Sequence, residues 1–274
     1  SIVGNNESYG NVPSTKWLAK ANEQKPPKCY LDTEKSLVDW IFKDLSLEDV
    51  KQFTSLSQYE PKKHLKPKFH SLDASIMELA DDISYSLHDF EDAISLGLIT
   101  SKEWNNYNEG KEKIFNDCDF VLKDLSDELF NSDTYDRKSA IGQLVHKFIT
   151  KIVLKEIKEF EEPLLRWNAV LLKPFGVLRK HIFDLVYKEV IKSPNVQLLE
   201  FKGQKIIIEL FEALSSDPER LLPKSALNNY KEAQGDENKM RVICDYIAGM
   251  TDEYATRLYE KIYAPHKGSI FDQM

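Results

Sequence analysis

The stretch that most constrains this chain runs from Ser71 to Thr100, SLDASIMELADDISYSLHDFEDAISLGLIT. On a helical wheel turned by about 100° per residue, Ile76, Leu79, Ile83, Leu87, Phe90 and Ile94 fall in one narrow stripe. That stripe predicts a long amphipathic helix with one side in a core. Asp81, Tyr85, Asp89 and Asp92 fall on the opposite side, the first three spaced four apart. From Phe69 to Ser101 there are seven carboxylates and no Lys or Arg. A charge-rich stripe is ordinarily a solvated face. In a chain with 37 Lys and Arg, however, such a face normally carries i,i+4 cationic partners. Here like charges crowd together, so the compensating cation is expected from elsewhere, as a divalent metal or as basic side chains of another segment. The pattern alone leaves the solvated face and the site as alternatives.

Composition sets the frame for that helix. A length of 274 residues suffices for one large domain or two small ones with an ample core. Ten glycines, few β-branched runs and long 3.6-residue periods point to an all-α protein. The formal charge of -8 argues against a general nucleic-acid binder and leaves room for a local basic patch. Cys29, Cys118 and Cys244 contain no CxxC pair, so neither a disulfide framework nor a zinc knuckle is expected, which fits a reducing cytoplasm. The sequence shows no signal peptide and no run of 18 apolar residues that would predict a membrane span. It opens at Ser1 in a polar stretch, as a fragment or a processed product would.

In order along the chain, residues 1–31 read as loop, punctuated by Gly10, Pro13, Pro26 and Pro27 and carrying Lys16, Lys20, Lys25 and Lys28. Asp32 or Thr33 is expected to cap a helix with Leu37, Trp40 and Ile41 facing inward. Ser46-Leu-Glu-Asp49 resembles a capping box at the start of a second helix. Pro61–His70 is a basic, proline-bracketed linker. It is either a solvated connector or, with its interleaved aromatic, a contact for single-stranded nucleic acid. After Gly97, helices are expected over 101–109, 111–131 and from Arg137 to about Ile157, with His146 packed inside the last. Pro174 can start another helix. Residues 160–172 and that helix are the most apolar part of the chain, as core or subunit-interface packing requires. A further helix is expected over 196–214, Asp217-Pro218 as an N-cap and first helical residue, and loop over 224–238. In Arg241-Val-Ile-Cys-Asp-Tyr-Ile-Ala-Gly-Met-Thr-Asp-Glu-Tyr-Ala255, Gly249 can close one helix and Thr251 cap the next.

Three of these strings carry a resemblance. Glu78-Leu-Ala-Asp-Asp-Ile-Ser-Tyr-Ser-Leu-His-Asp-Phe-Glu-Asp-Ala93 is similar to the last-aspartate helix of the dGTPase-type deoxynucleoside triphosphate triphosphohydrolases, of the HD-domain superfamily. Asp-Tyr-Ile-Ala-Gly-Met-Thr-Asp252 resembles that family's C-terminal signature, and Ile141-Gly-Gln-Leu-Val145 after Arg137 resembles a third run. The resemblance implies an HD-domain-like multi-helix bundle. It also implies hydrolysis of a dNTP, with dGTP favoured, to deoxynucleoside and tripolyphosphate. By the same resemblance Asp81 is a ligand of a divalent metal, Mg²⁺ or Mn²⁺, and so catalytic. Tyr85 then lies against the deoxyribose and Asp89 reaches a sugar hydroxyl. Lys16 and Lys28 are candidates for the triphosphate, and Arg241 for bound nucleotide. The family's oligomers imply a homo-oligomer, tetramer or hexamer.

The family's site needs His, then His-Asp, then Asp around the ion, whose charge activates a bound water. Only the last aspartate is recognisable. His88-Asp89 is a His-Asp dipeptide, but both flanks match the last-aspartate helix, and His64 and His70 do not supply the missing spacing. The front part of the HD core is therefore expected on a further, N-terminal segment. Residues 1–100 would be the rear part of the catalytic domain, and 101–274 a helical region that completes it and provides an oligomer interface. Two readings remain: an enzyme that is catalytic only with the His/His-Asp segment, or a non-catalytic regulatory or interaction protein that retains the fold.

Overall fold

A computed structural model describes residues 29–57 and 65–264. Leu31 begins a single 3₁₀ turn, Asp32–Glu34, and its N–H donates to the Glu34 carboxylate. α1 (Lys35–Phe42) and α2 (Leu47–Phe53) come next, then α3 (Leu72–Ser95), α4 (Ser101–Asn108), α5 (Glu112–Asn116), α6 (Leu122–Leu129) and α7 (Thr134–Thr150). After these stand β1 (Ile152–Glu156), α8 (Pro163–Arg166) and β2 (Trp167–Leu171). α9 (Lys173–Val186) runs into a π-turn at Tyr187–Ile191, where the Lys192 N–H reaches the Tyr187 carbonyl. α10 (Pro194–Ser216), α11 (Pro218–Leu221), α12 (Lys224–Glu232), α13 (Asp236–Ala248) and α14 (Asp252–Tyr263) complete the chain. The architecture is the expected all-α, multi-helix one, with a single antiparallel hairpin among the described residues, in register Ile152↔Leu171 to Glu156↔Trp167.

The chain divides into two compact units, with the boundary between Val196 and Gln197. The division at residue 100 falls inside the first unit, because α3 packs on α9 and β2. In that unit Ile83, Leu87 and Phe90 of α3 join Trp104, Phe115, Leu144, Phe148, Leu178, Ile182 and Leu185 in one core. The second unit has its own core around Ile206, Leu210, Leu214, Ile243 and Leu258.

Several local expectations change. α1 turns Phe42 toward Phe53, ring centroids 6.2 Å apart, so Leu37, Trp40 and Ile41 stay exposed, Trp40 at 70%. The helix expected over 111–131 breaks between α5 and α6. Cys118 and Phe120 are both buried, and residues two apart on a helix face different ways, so the chain leaves the helix, with Asp119 at φ 58°. The helix from Arg137 stops at Thr150, not Ile157, because Ile152-Val-Leu pairs with β2 instead. His146 is exposed; the packed histidine is His181. Residues 224–232 are helix, burying Ala226. Asp217 makes no cap and pairs with Arg220 at 3.2 Å, while Pro218 does open α11. Ser46 caps α2 by accepting the Asp49 N–H at 3.0 Å. The capping box is not completed, since the buried Asp49 carboxylate accepts the Glu161 and Glu162 N–H groups at 3.1 and 3.0 Å. Gly249 and Thr251 close α13 and cap α14 as expected.

Candidate active site

α3 is fixed at both ends by its sequence. The Ser71 hydroxyl accepts the Ala74 N–H at 3.2 Å, and Gly97 at φ 68° turns the chain after the last turn. Four members of the apolar stripe, Ile83, Leu87, Phe90 and Ile94, are buried; Leu79 is half-buried and Ile76 exposed. Near its start, the Ser75 hydroxyl accepts the Ala169 N–H of β2 at 2.9 Å, locking helix to hairpin. The rotation of α3 is thereby set, and it presents Asp81, Tyr85 and Asp89 on successive turns of one face.

Asp81 is exposed, and among the described residues no hydrogen bond or ion pair engages its carboxylate. Its neighbour Asp82 receives the cation expected from another segment: Arg179 Nη2 of α9 lies 2.8 Å from Asp82 Oδ2. Arg179 Nη1 also donates to Ser86 Oγ at 3.3 Å. The Tyr85 ring lies 5.8 Å from that of Phe183, which in turn lies 6.0 Å from Tyr187. Asp89 is half-buried, and its carboxyl is held above the usual carboxylate range, first by burial and then by the charge of Asp92, with His88 pulling the other way.

His88 lies elsewhere on the helix. It lines an apolar groove of about 310 Å³ with Leu79, Ile83, Val145 and Ile149, to which Asp89 does not contribute. The His-Asp dipeptide thus does not converge as a pair of ligands. Among the described residues, no three His, Cys, Asp or Glu side chains come together in a way that could hold a metal ion. These residues do not by themselves fit a metal; Asp81 offers one free carboxylate. Arg241, in the second unit, donates from Nε to Asp245 at 2.6 Å across one turn of α13. Lys16, Lys28 and His64 lie outside the described residues. A polar cavity of about 990 Å³ between α4 and α6 contains none of the candidate residues.

Sequence reasoning passed over Arg179 and Phe183. Their i,i+4 spacing puts them on one stripe of α9, but which helix that stripe meets depends on a tertiary contact. His181 was missed for a similar reason. It is buried, stacked on Tyr107 with centroids 4.6 Å apart, and donates to Asn108 Oδ1 at 2.8 Å. Asn108 uses its amide on the Trp104 carbonyl, which leaves its oxygen as acceptor and assigns the proton to His181 Nε2.

The sequence has relatives among known proteins. Residues 175–261 match the Phosphohydrolase-associated domain. A deoxyguanosinetriphosphate triphosphohydrolase-like protein of Shewanella loihica is 40% identical over 270 residues, covering 97% of this chain and 59% of its own length. A protein of the same description from Shewanella baltica is 43% identical over 264 residues, covering 91% of this chain and 58% of its own length. The chain therefore spans less than two thirds of the relatives it matches. Nearly all of it is thus the counterpart of a segment of the dGTPase-type, triphosphohydrolase-like proteins, as its central and C-terminal strings led us to expect.

Proposed function

We propose that this chain is part of a metal-dependent dNTP triphosphohydrolase, with dGTP the favoured substrate and deoxynucleoside and tripolyphosphate the products. The observation that carries the reading is the face of α3. Asp81 stands unpaired there among the described residues, in line with Tyr85 and Asp89, while the adjacent Asp82 is neutralised by Arg179. In this reading Asp81 joins the His and His-Asp donors of a further segment in holding Mg²⁺ or Mn²⁺. Tyr85 packs on the deoxyribose, and Asp89 accepts a hydrogen bond from a sugar hydroxyl. Arg241, Lys16 and Lys28 contact the nucleotide. The protein would act in the cytoplasm as a homo-oligomer, drawing on exposed apolar residues such as Val177, Leu198 and Leu199. Single-stranded nucleic acid is a secondary candidate partner, through the linker lysines.

The second reading, a non-catalytic interaction or regulatory protein, draws on the lack of a three-donor cluster among the described residues. One experiment separates the two: steady-state rates on dGTP, with calorimetry for Mn²⁺, on the protein complete with its His/His-Asp segment. Asp81→Ala should lower metal occupancy and turnover together by several orders of magnitude. Asp89→Asn should keep metal binding and lose about ten- to a hundredfold in kcat/KM, the worth of one charged hydrogen bond. Retained metal affinity and turnover in Asp81→Ala would sink the enzyme reading for this site.

A further inference from the structure

α9 touches the candidate face at two points one turn apart. At the first, Arg179 grips a single turn of α3 three ways: the Asp82 carboxylate at 2.8 Å, the Ser86 hydroxyl at 3.3 Å and, more weakly, the Asp82 carbonyl at 3.5 Å. Ser86 Oγ also donates to that same carbonyl at 2.5 Å, the back-bond that bends helices. At the second point, Phe183 backs the Tyr85 ring at 5.8 Å and an interplanar angle of 44°. The gripped turn, Asp82 to Ser86, carries Tyr85 and lies between Asp81 and Asp89.

The chemistry of the grip is that of a positioning device. Asp82 is 44% exposed and Arg179 21%, and an ion pair this open contributes little to stability. A guanidinium fork, however, fixes direction. It can hold a carboxylate and a hydroxyl at once in set geometry, which a single ammonium cannot. Ser86 is fully buried, so the hydroxyl on which the fork rests cannot turn away to water.

We infer that Arg179 and Phe183 are positioning residues that set the angle between Asp81 and the Tyr85–Asp89 pair. The inference rests on the reading of this face as the nucleotide site. Release of the turn lets Tyr85 and Asp89 swing relative to Asp81, and a misplacement of about 1 Å costs about a hundredfold. Because Tyr85 lies against the sugar, the swing also loosens discrimination between deoxyribose and ribose.

The test compares kcat/KM for dGTP and GTP in the complete protein carrying Arg179→Met, Arg179→Lys, Ser86→Ala or Phe183→Leu. Leu129→Ala serves as a destabilised control, a fully buried core residue on α6, which packs on α7, and Tyr85→Ala as a check on the site itself. Arg179→Met should lose about ten- to a hundredfold on dGTP, with a narrower dGTP:GTP ratio. Adding Asp82→Asn should cost little more, since the pair acts as one unit. Arg179→Lys should keep the melting temperature and leave the ratio narrowed. Leu129→Ala should lower the melting temperature and keep the ratio. If Arg179→Met fails to fold, Arg179→Lys and Ser86→Ala carry the same test. Unchanged rates and ratio in Arg179→Lys, Ser86→Ala and Phe183→Leu, with Tyr85→Ala impaired, would overturn the clamp and leave the site. Unchanged rates in Tyr85→Ala as well would overturn both.

Discussion

Asp89 is held at a cost, and the cost has a measurable sign. Burial and Asp92 raise its pKa, so its stabilising contribution is present below the ordinary carboxylate range and is lost as pH rises through the raised value. Asp89→Asn should therefore melt at the same temperature as the parent or higher near neutral pH, with the gain vanishing in acid. Calorimetric melting across that range checks it, and a lower melting temperature at neutral pH would show a structural need for the charge. His181 behaves oppositely. Burial, then the nearby charge of Lys111, pull its pKa from 6.5 down to about 4, against Asp184. The unfolded chain takes up the proton first, so stability is full above about pH 6.5 and falls as pH drops toward 4. The loss is at most on the order of 3 kcal/mol. In urea titrations, His181→Asn should flatten that acid slope, whatever it costs at neutral pH. Neither residue was legible in this role. Asp89 came out of a four-residue spacing and a family resemblance, which carry no information on burial, and His181 sits in an apolar stripe whose partner Asn108 is 73 positions away.

At the scale of elements, legibility tracks period and length. α3 was readable because its 24 residues repeat one apolar stripe between a Ser cap and a Gly stop, signals that reside in the segment itself. The hairpin was not, because Ile152–Glu156 has no turn signal of its own and becomes a strand only by meeting Trp167–Leu171. α5 and α6 were fused for the same reason, since the break serves the burial of Cys118 and Phe120 in a core that the segment does not contain. Asp49 illustrates a third kind of miss. It matched a capping box, yet its carboxylate spans to the segment before α8 and satisfies two backbone N–H groups there. Asp49→Ala leaves both donors unpaired and should cost about 2–5 kcal/mol, with Asp49→Asn recovering part by accepting through its one oxygen. Chemical unfolding of the two variants checks the order, and equal stability would mean that water replaces the carboxylate.

For the whole molecule, the two cores imply two stabilities. Leu214 is fully buried in the second unit, and Leu144 in the first. Leu214→Ala should cost about 2–5 kcal/mol locally and raise amide exchange across α12–α14 while α3 and α9 keep their protection; Leu144→Ala should do the reverse. Exchange that rises uniformly in both variants would mean a single cooperative unit. Fold class was legible at this scale, since long 3.6-residue periods with few β-branched runs point to helices, whereas the boundary at Val196 was not, because α10 runs through it without a break in helical pattern.

The π-turn at Tyr187–Ile191 bears on how this chain can change length. It closes with a hydrogen bond one residue longer than an α-helical one, from the Lys192 N–H to the Tyr187 carbonyl at 3.0 Å. That is the signature of a helix that has absorbed one extra residue. Removing any one of Lys188, Glu189 or Val190 would therefore let ordinary α-bonding resume while the residues beyond keep their direction around the axis. The same deletion inside α9 itself would carry everything beyond it about 100° around the axis and pull its buried face out of the core. The bulge is thus the place where this helix can lose a residue without turning the chain that follows. Across descendants the segment should vary by one residue in length more readily than α9 does.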